Sequence, residues 1–189
     1  MIKSKTFLAS MLISFGVIVN LTLGNPIGPF LFSFGLLGVC VLEADLFTGK
    51  AGYYWRTKPF DLSMILIDNM LWGAIIGANI GYIYPQLVPM AMEKVSTWSF
   101  SYAFFMQSVF CGMIMYIAVE LYKRKNILGI LMGVPLFIFC GFQHSIANII
   151  IALIAALDGI PFSTIGLIFF CALGNLLGSI CINLMTEEK

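Results

Sequence analysis

Two short polar segments interrupt an otherwise apolar chain of 189 residues. Residues 44–49 read Ala-Asp-Leu-Phe-Thr-Gly, and residues 141–148 read Gly-Phe-Gln-His-Ser-Ile-Ala-Asn. A carboxylate at the centre of a bilayer costs roughly 2.5–3.5 kcal/mol on insertion scales, so polar groups at that depth usually line a cavity or bind a passing solute. The two segments therefore predict the chemistry of a solute path.

His144 is the only histidine of the sequence and the first candidate for contact with a solute. A neutral imidazole donates a hydrogen bond to a small anion, and a protonated one can supply a proton to it. Gln143 and Asn148 add amide groups beside it. A histidine that packs between helices and bonds a backbone carbonyl is the alternative interpretation. The polar neighbours and the interrupted apolar run favour a functional one.

Thr48 is the candidate in the first segment, where it follows Leu46 and Phe47. Its hydroxyl can donate to an anion without the desolvation cost of a cation, and the N-terminus of a half-helix adds the positive end of a dipole. Asp45 has the wrong sign for an anion ligand. We therefore expect Asp45 to accept hydrogen bonds from backbone amides and to hold the turn.

The composition sets the class of the protein. Hydrophobic residues make up 60% of the chain and charged residues 10%, whereas soluble domains are about 45–50% apolar and about 25% charged. The formal net charge of +1, without a basic run, gives no reason to expect a nucleic-acid partner. Five cysteines without a Cys-x-x-Cys pair, and a single histidine, predict no metal site, no cofactor and no enzymatic activity.

The apolar stretches predict an all-α membrane protein with one channel domain over residues 1–189. About 20 apolar residues cross a bilayer as a helix. The predicted spans, with turn signals between them, are residues 7–23, 27–48, 62–84, 100–122, 127–157 and 162–185. The fifth stretch is too long for one straight span, so we expect it to be interrupted around His144.

The basic residues predict the orientation. Nine of the ten Lys and Arg residues fall on the side of both termini, and only Lys94 falls on the other. Cytoplasmic segments carry the excess of Lys and Arg, so this distribution predicts a multi-pass protein of the cell membrane with both termini in the cytoplasm.

The two halves of the chain repeat each other. Each half contains three predicted spans, the middle one with a polar segment and the last with closely spaced glycines (Gly73 and Gly77, Gly174 and Gly178). Three spans per half place the halves in opposite orientations. This is an inverted repeat, with the solute path expected where the two broken helices meet.

These residues carry a resemblance to a known family. Ala-Asp-Leu-Phe-Thr in the second span, Gly-Phe-Gln-His-Ser-Ile-Ala-Asn in the fifth and Gly-Asn-x-x-Gly in the sixth resemble the formate/nitrite transporter family over nearly the whole chain. The resemblance implies a homopentamer of six-helix, aquaporin-like protomers in a lipid bilayer. Each protomer would have its own pore for a small monovalent weak-acid anion such as formate, nitrite or hydrosulfide, with or without coupling to protons. An aquaporin-like channel for small neutral solutes is the alternative, although the sequence has no Asn-Pro-Ala motif.

The resemblance also implies roles for single residues. His144 matches the central pore histidine and Thr48 the threonine of the loop that breaks the second helix. The other expected path residues are Asn148, Asn175 and Lys94, the last at the outer vestibule. Two apolar constrictions are expected. The cytoplasmic one consists of Leu46 and Phe32, together with the neighbouring Phe47, and the periplasmic one contains Phe137. Gln143 departs from the family, since it stands where formate channels usually have an acid.

Overall fold

The computed structural model describes residues 4–54 and 58–186, which form helices joined by short loops. Within this part of the chain, α1 (Ser4–Leu23), α4 (Pro59–Ile83), α6 (Tyr102–Lys123) and α9 (Ser163–Thr186) are long and apolar enough to cross a membrane. They correspond to the first, third, fourth and sixth predicted spans. The protein is therefore an all-α membrane protein.

The second and fifth predicted spans are both broken, as the sequence predicted. The second consists of α2 (Ile27–Val41) and the four-residue α3 (Phe47–Lys50). The fifth consists of α7 (Leu128–Phe139) and α8 (Ser145–Ala155). We call residues 42–46 the first break and residues 140–144 the second break.

Each break contains a residue with left-handed backbone geometry, which ends the preceding helix. Glu43 in the first break has a φ of 50°, and Gly141 in the second has a φ of 68°. Glycine adopts this region at no steric cost and is common just after a helix, whereas a glutamate there is unusual. The polar segments thus bend the chain as well as supplying its chemistry.

One helix was not predicted. The predicted third and fourth spans leave residues 85–99, which include Pro85 and Pro89, as a connection without a helix. The structure instead forms a 3-10 turn at Pro85–Leu87 and the helix α5 (Val88–Ser96). Both prolines lie in the first turns of their helices, where the missing N–H is not needed and the fixed φ suits the helix.

The helices of the two halves pack in matching pairs. α1 contacts α2 and α4, while α6 contacts α7 and α9, and α2 and α7 contact each other. Glycines permit the closest approaches: a Cβ on Gly77 of α4 would lie 2.6 Å from the carbonyl oxygen of Ile150 on α8. Small residues serve this purpose in membrane helices, as the sequence predicted for the glycines.

The outward faces of the bundle are apolar. Large hydrophobic side chains are exposed on several helices, among them Phe34, Phe60, Leu71, Met132 and Phe169. Lipid or neighbouring protomers cover such faces in membrane proteins. The polar side chains with the chemistry lie inside, between the two breaks.

Candidate functional site

Two cavities enter the molecule from opposite ends of α1. The cavity at the N-terminal end of α1, which we call the basic vestibule, has a volume of about 720 Å³ and is lined by Lys5, Lys50, Lys123 and Lys125, together with Leu46 of the first break. The cavity at the other end, which we call the histidine vestibule, has a volume of about 330 Å³. Its lining includes His144, Phe32, Phe137, Gln107, Gln143, Asn148 and Lys94.

The two breaks meet at one hydrogen bond between the vestibules. Thr48 Oγ1 and His144 Nε2 are 2.9 Å apart, and the two residues are 1% and 2% exposed. The sequence predicted both as path residues. The structure brings them together although they are 96 positions apart in the chain.

The hydrogen bonds of His144 determine which of its nitrogens carries the proton. Nδ1 accepts a hydrogen bond from the backbone N–H of Ala147 at 3.1 Å and so caps the N-terminus of α8. Because an accepting ring nitrogen has no hydrogen, the neutral ring carries its proton on Nε2 and donates it to Thr48 Oγ1. The hydroxyl hydrogen of Thr48 then has no acceptor among the described residues, although the side chain lines neither vestibule.

Asn175 of α9 holds the second break from behind. Its Oδ1 accepts from the N–H of Ser145 at 2.9 Å, and its Nδ2 donates to the carbonyl oxygens of Gln143 and Ser108, both at 2.8 Å. The residue is fully buried and does not line either vestibule. The amide of Asn175 therefore positions the backbone around His144, and its place on the solute path stays a prediction.

Asn69 of α4 holds the first break in the same way, and sequence reasoning missed it. Its Oδ1 accepts from the N–H of Phe47 at 2.8 Å, and its Nδ2 donates to the carbonyl oxygens of Asp45 at 3.0 Å and Thr6 at 3.2 Å. The sequence contained one signal for it. Asn69 lies in an apolar span shortly before Gly73, as Asn175 lies shortly before Gly178.

The carboxylate of Asp45 is paired with the ammonium group of Lys50. Its backbone N–H donates to the carbonyl oxygen of Lys5 at 3.1 Å. These contacts agree with the prediction that Asp45 holds the turn. The predicted hydrogen bonds from backbone amides to its carboxylate are replaced by the ion pair with Lys50 and by the bond from its own N–H.

Amide side chains line the histidine vestibule. Gln143 Nε2 donates to the carbonyl oxygen of Gly141 at 3.0 Å and to Gln107 Oε1 at 3.4 Å, and Asn148 Nδ2 donates to Gln143 Oε1 at 2.9 Å. Gln143 and Asn148 thus lie where the sequence predicted them. Gln107 was missed, although it is an isolated amide in the middle of the apolar fourth span. Lys94, on α5, is exposed in the same cavity.

The apolar constrictions are grouped differently from the prediction. Phe32 packs edge-on against Phe137, with ring centroids 6.0 Å apart, and Phe137 stacks on His144 at 5.8 Å. Phe32 and Leu46, which the sequence grouped together, line different cavities. Phe32 precedes the end of α2 by nine residues, roughly 13 Å along a helix, and so lies at the histidine vestibule.

Leu46 is fully buried and lines the basic vestibule, as expected for a constriction on that side. Phe47 is 3% exposed and lines neither cavity, and its part in a constriction stays a prediction. Leu36, which the sequence did not single out, lies one helical turn after Phe32 and is 1% exposed. Because residues four apart share a helix face, Leu36 lies on the face of α2 that separates the two vestibules.

Comparison with solved structures finds the same arrangement of helices in channels. A protein described as an FNT family ion channel aligns with a TM-score of 0.77 at 20% identity, over 94% of this chain and 85% of that chain. The chain has the fold of an FNT channel. A structure described as a pentameric formate channel with formate bound aligns with a TM-score of 0.77 at 18% identity, over 96% of this chain and 92% of that one. No protein-family model and no curated protein matches the sequence.

Within this FNT fold, residues 4–54 and 58–186 contain no group of three or more His, Cys, Asp or Glu side chains that could hold a metal ion. The groups that the site offers are a hydroxyl, an imidazole N–H and carboxamides, set between apolar rings. Such groups can donate hydrogen bonds to a small solute and exclude a hydrated one.

Proposed function

We propose that the protein is a member of the formate/nitrite transporter family that conducts a small monovalent weak-acid anion, such as formate, nitrite or hydrosulfide, across a membrane. The observation that carries the proposal is the hydrogen bond between Thr48 and His144, which joins the two helix breaks between two vestibules. The FNT fold supports it, since one of the similar structures is a formate channel with formate bound. The solute leaves chemically unchanged, so the protein is not an enzyme.

The proposed assembly follows from the same comparison and from the charges. We propose six membrane spans in an inverted repeat, five protomers per channel, and both termini on the cytoplasmic side of the cell membrane. The matching helix pairs of the two halves support the repeat, and the similar formate channel is a pentamer. Four lysines line the vestibule at the N-terminal end of α1, whereas the other vestibule has Lys94.

The barrier favours a solute that loses its charge inside. An anion drawn towards Lys94 must leave water between Phe32, Phe137 and Leu46, where a bare charge is costly. A weak acid that gains a proton crosses as a neutral molecule at a lower free energy. We therefore propose coupling to protons, with inward flux driven by acid outside.

His144 guides the solute in this mechanism without storing a proton. A second proton would have to occupy Nδ1, which would break the bond that caps α8, and loss of a cap costs about 0.5–2 kcal/mol. The ring therefore stays neutral, donating through Nε2. The hydroxyl of Thr48 donates to the solute as it passes.

A channel for small neutral solutes is the second candidate. The buried junction between the vestibules favours it, because the side chains of Thr48, His144, Leu46, Phe32 and Phe137 carry no formal charge with the ring neutral. Both candidates agree with the FNT fold, so a transport measurement must separate them.

Flux into proteoliposomes with formate, nitrite, hydrosulfide and glycerol tests the proposal. We expect the anions to enter, faster when the outside is acidified below about pH 6, and glycerol to be excluded. Glycerol uptake without anion uptake would overturn the anion proposal in favour of the neutral-solute channel. Anion flux that ignores the proton gradient would overturn only the coupling.

A further inference from the structure

The carboxamides of the histidine vestibule have a fixed direction. The carbonyl of Gly141 can only accept a hydrogen bond, so the end of the Gln143 amide 3.0 Å from it is the donor Nε2. The opposite end, Oε1, accepts from Asn148 Nδ2 at 2.9 Å. One backbone carbonyl thus sets the orientation of the whole group.

This direction passes on to Gln107. Because Gln143 presents a donor, Gln107 must face it with Oε1, and the two atoms are 3.4 Å apart. The Nε2 of Gln107 is then turned away from Gln143, and none of the described residues accepts a hydrogen bond from it. Gln107 is half-buried and lines the same cavity as His144.

The surroundings make this free amide suited to an anion. Lys94 is the only charged side chain among the described residues that line the histidine vestibule. Hydrogen bonds from neutral donors to charged acceptors are stronger than those to neutral ones. An anion in this cavity therefore meets a cation at the mouth and unused N–H groups further in.

We propose that Gln107 binds the transported anion through Nε2 in the histidine vestibule, and that Gln143 is the positioning residue that keeps this donor turned towards it. The proposal rests on the proposed function, and it assigns the first binding step to a residue of α6 instead of to His144. The ligand class is a small monovalent anion that accepts a hydrogen bond. An amide at position 143 is required, because a carboxylate there would demand a donor from Gln107 and turn Nε2 away from the cavity.

Binding can be measured without transport through quenching of Trp98 by iodide. Trp98 lines the same vestibule, and replacing Trp55 and Trp72 by Phe leaves it as the only one of the three tryptophans. In this parent, Gln107→Met removes the donor without adding charge, while the carbonyl of Gly141 still orients Gln143. Gln107→Glu keeps a carboxylate oxygen as the acceptor for Gln143 Nε2 and places the other oxygen towards the cavity in place of the N–H donor. It therefore tests the role of Gln107 if the Met variant fails to fold.

Gln86→Glu is the matched control for charge. Gln86 is exposed in the 3-10 turn that follows α4, on the same end of the molecule but outside the cavity. We expect both Gln107 variants, and Gln143→Glu, to lower iodide quenching of Trp98 and to raise the KM for formate at least about fivefold. The Gln86→Glu control should leave the iodide quenching of Trp98 and the KM for formate within about twofold of the parent.

The inference is overturned if quenching in every folded Gln107 variant stays within about twofold of the parent. Failure of the proposed function has a different result: the parent carries no formate, nitrite or hydrosulfide, although its Trp98 still responds to iodide and loses that response in the Gln107 variants.

Discussion

At the first break the following half-helix is only Phe47–Lys50, whereas at the second break α8 runs from Ser145 to Ala155. Both breaks are held by a buried asparagine of the next long helix, which accepts from the first backbone N–H after the break and donates to two carbonyls. The first break has charged side chains beside it. The second has His144 and carboxamides.

The comparison separates the scaffold from the chemistry. Asn69 and Asn175 make the same backbone contacts at two breaks that have different side chains. These contacts therefore do not determine what a break binds. The charges of the first break are balanced in pairs, Asp45 with Lys50 and Glu43 with Lys5. Around the second break the groups are uncharged, and the Nε2 of Gln107 and the hydroxyl hydrogen of Thr48 have no acceptor among the described residues.

The largest effect is expected at His144. Phenylalanine there keeps an aromatic ring but loses the cap of α8 and the donor to Thr48, and two hydrogen bonds at about 0.5–1.5 kcal/mol each correspond to roughly 5- to 150-fold in flux. Formate uptake into proteoliposomes measures it.

His144→Asn is the control for the cap, because asparagine is among the best N-cap residues. We expect this variant to fold like the unaltered protein in gel filtration and to keep the dependence of formate flux on the proton gradient, because the neutral ring of His144 stores no proton in the proposed mechanism. Unchanged uptake by the Phe variant at every pH would reduce His144 to a packing residue.

The next effect concerns the two supports. Asn69→Leu leaves a buried N–H and two carbonyls without their partner, and each unsatisfied buried group costs about 1–3 kcal/mol. We expect thermal unfolding in detergent to shift down by several degrees, and Asn175→Leu to act alike.

Asn79→Leu is the matched control on the same helix as Asn69. Asn79 is exposed and bonds only the carbonyl of Ile75, one turn earlier. This substitution should leave the unfolding temperature nearly unchanged. A large shift for only one of Asn69 and Asn175 would mean that the two breaks are not supported equally.

Much of this site could be predicted from the sequence, because it depends on local patterns. The polar segments predicted both broken helices, and the isolated His144 and Thr48 predicted the residues that meet at the junction. The backbone contacts of Asn175 were not predicted, since a motif does not say whether an amide faces a solute or a backbone.

The rest depended on tertiary contacts. That Phe32 and Leu46 line different cavities was not predicted, because depth along α2 had to be inferred without knowing where the path narrows. Asn69 and Gln107 were missed because a single amide in an apolar span has no periodic signal. Their partners are 22 and 36 residues away in the chain.

A smaller effect is expected at Thr48. Valine keeps nearly the same volume and removes the hydroxyl that accepts from His144 Nε2 and donates to the solute. We expect formate flux to fall by about 2- to 12-fold, which corresponds to the net 0.5–1.5 kcal/mol of a hydrogen bond. Thr48→Ser, which retains the hydroxyl, should keep most of the flux. A serine variant as slow as valine would assign the effect to packing.

The smallest effect is expected from the charges beside the first break. The Lys5 ammonium and the Glu43 carboxylate are 3.9 Å apart, with side chains 53% and 85% exposed, and an exposed pair of this kind contributes about 0–1 kcal/mol. Lys5→Gln should therefore leave formate flux and unfolding temperature close to those of the unaltered protein, whereas the uncharged substitution Gln107→Met at the other vestibule raises the KM. If Lys5→Gln instead reduced flux tenfold or more in low salt, the basic vestibule would contribute a binding step of its own, and the division between a charged support and an uncharged binding site would fail.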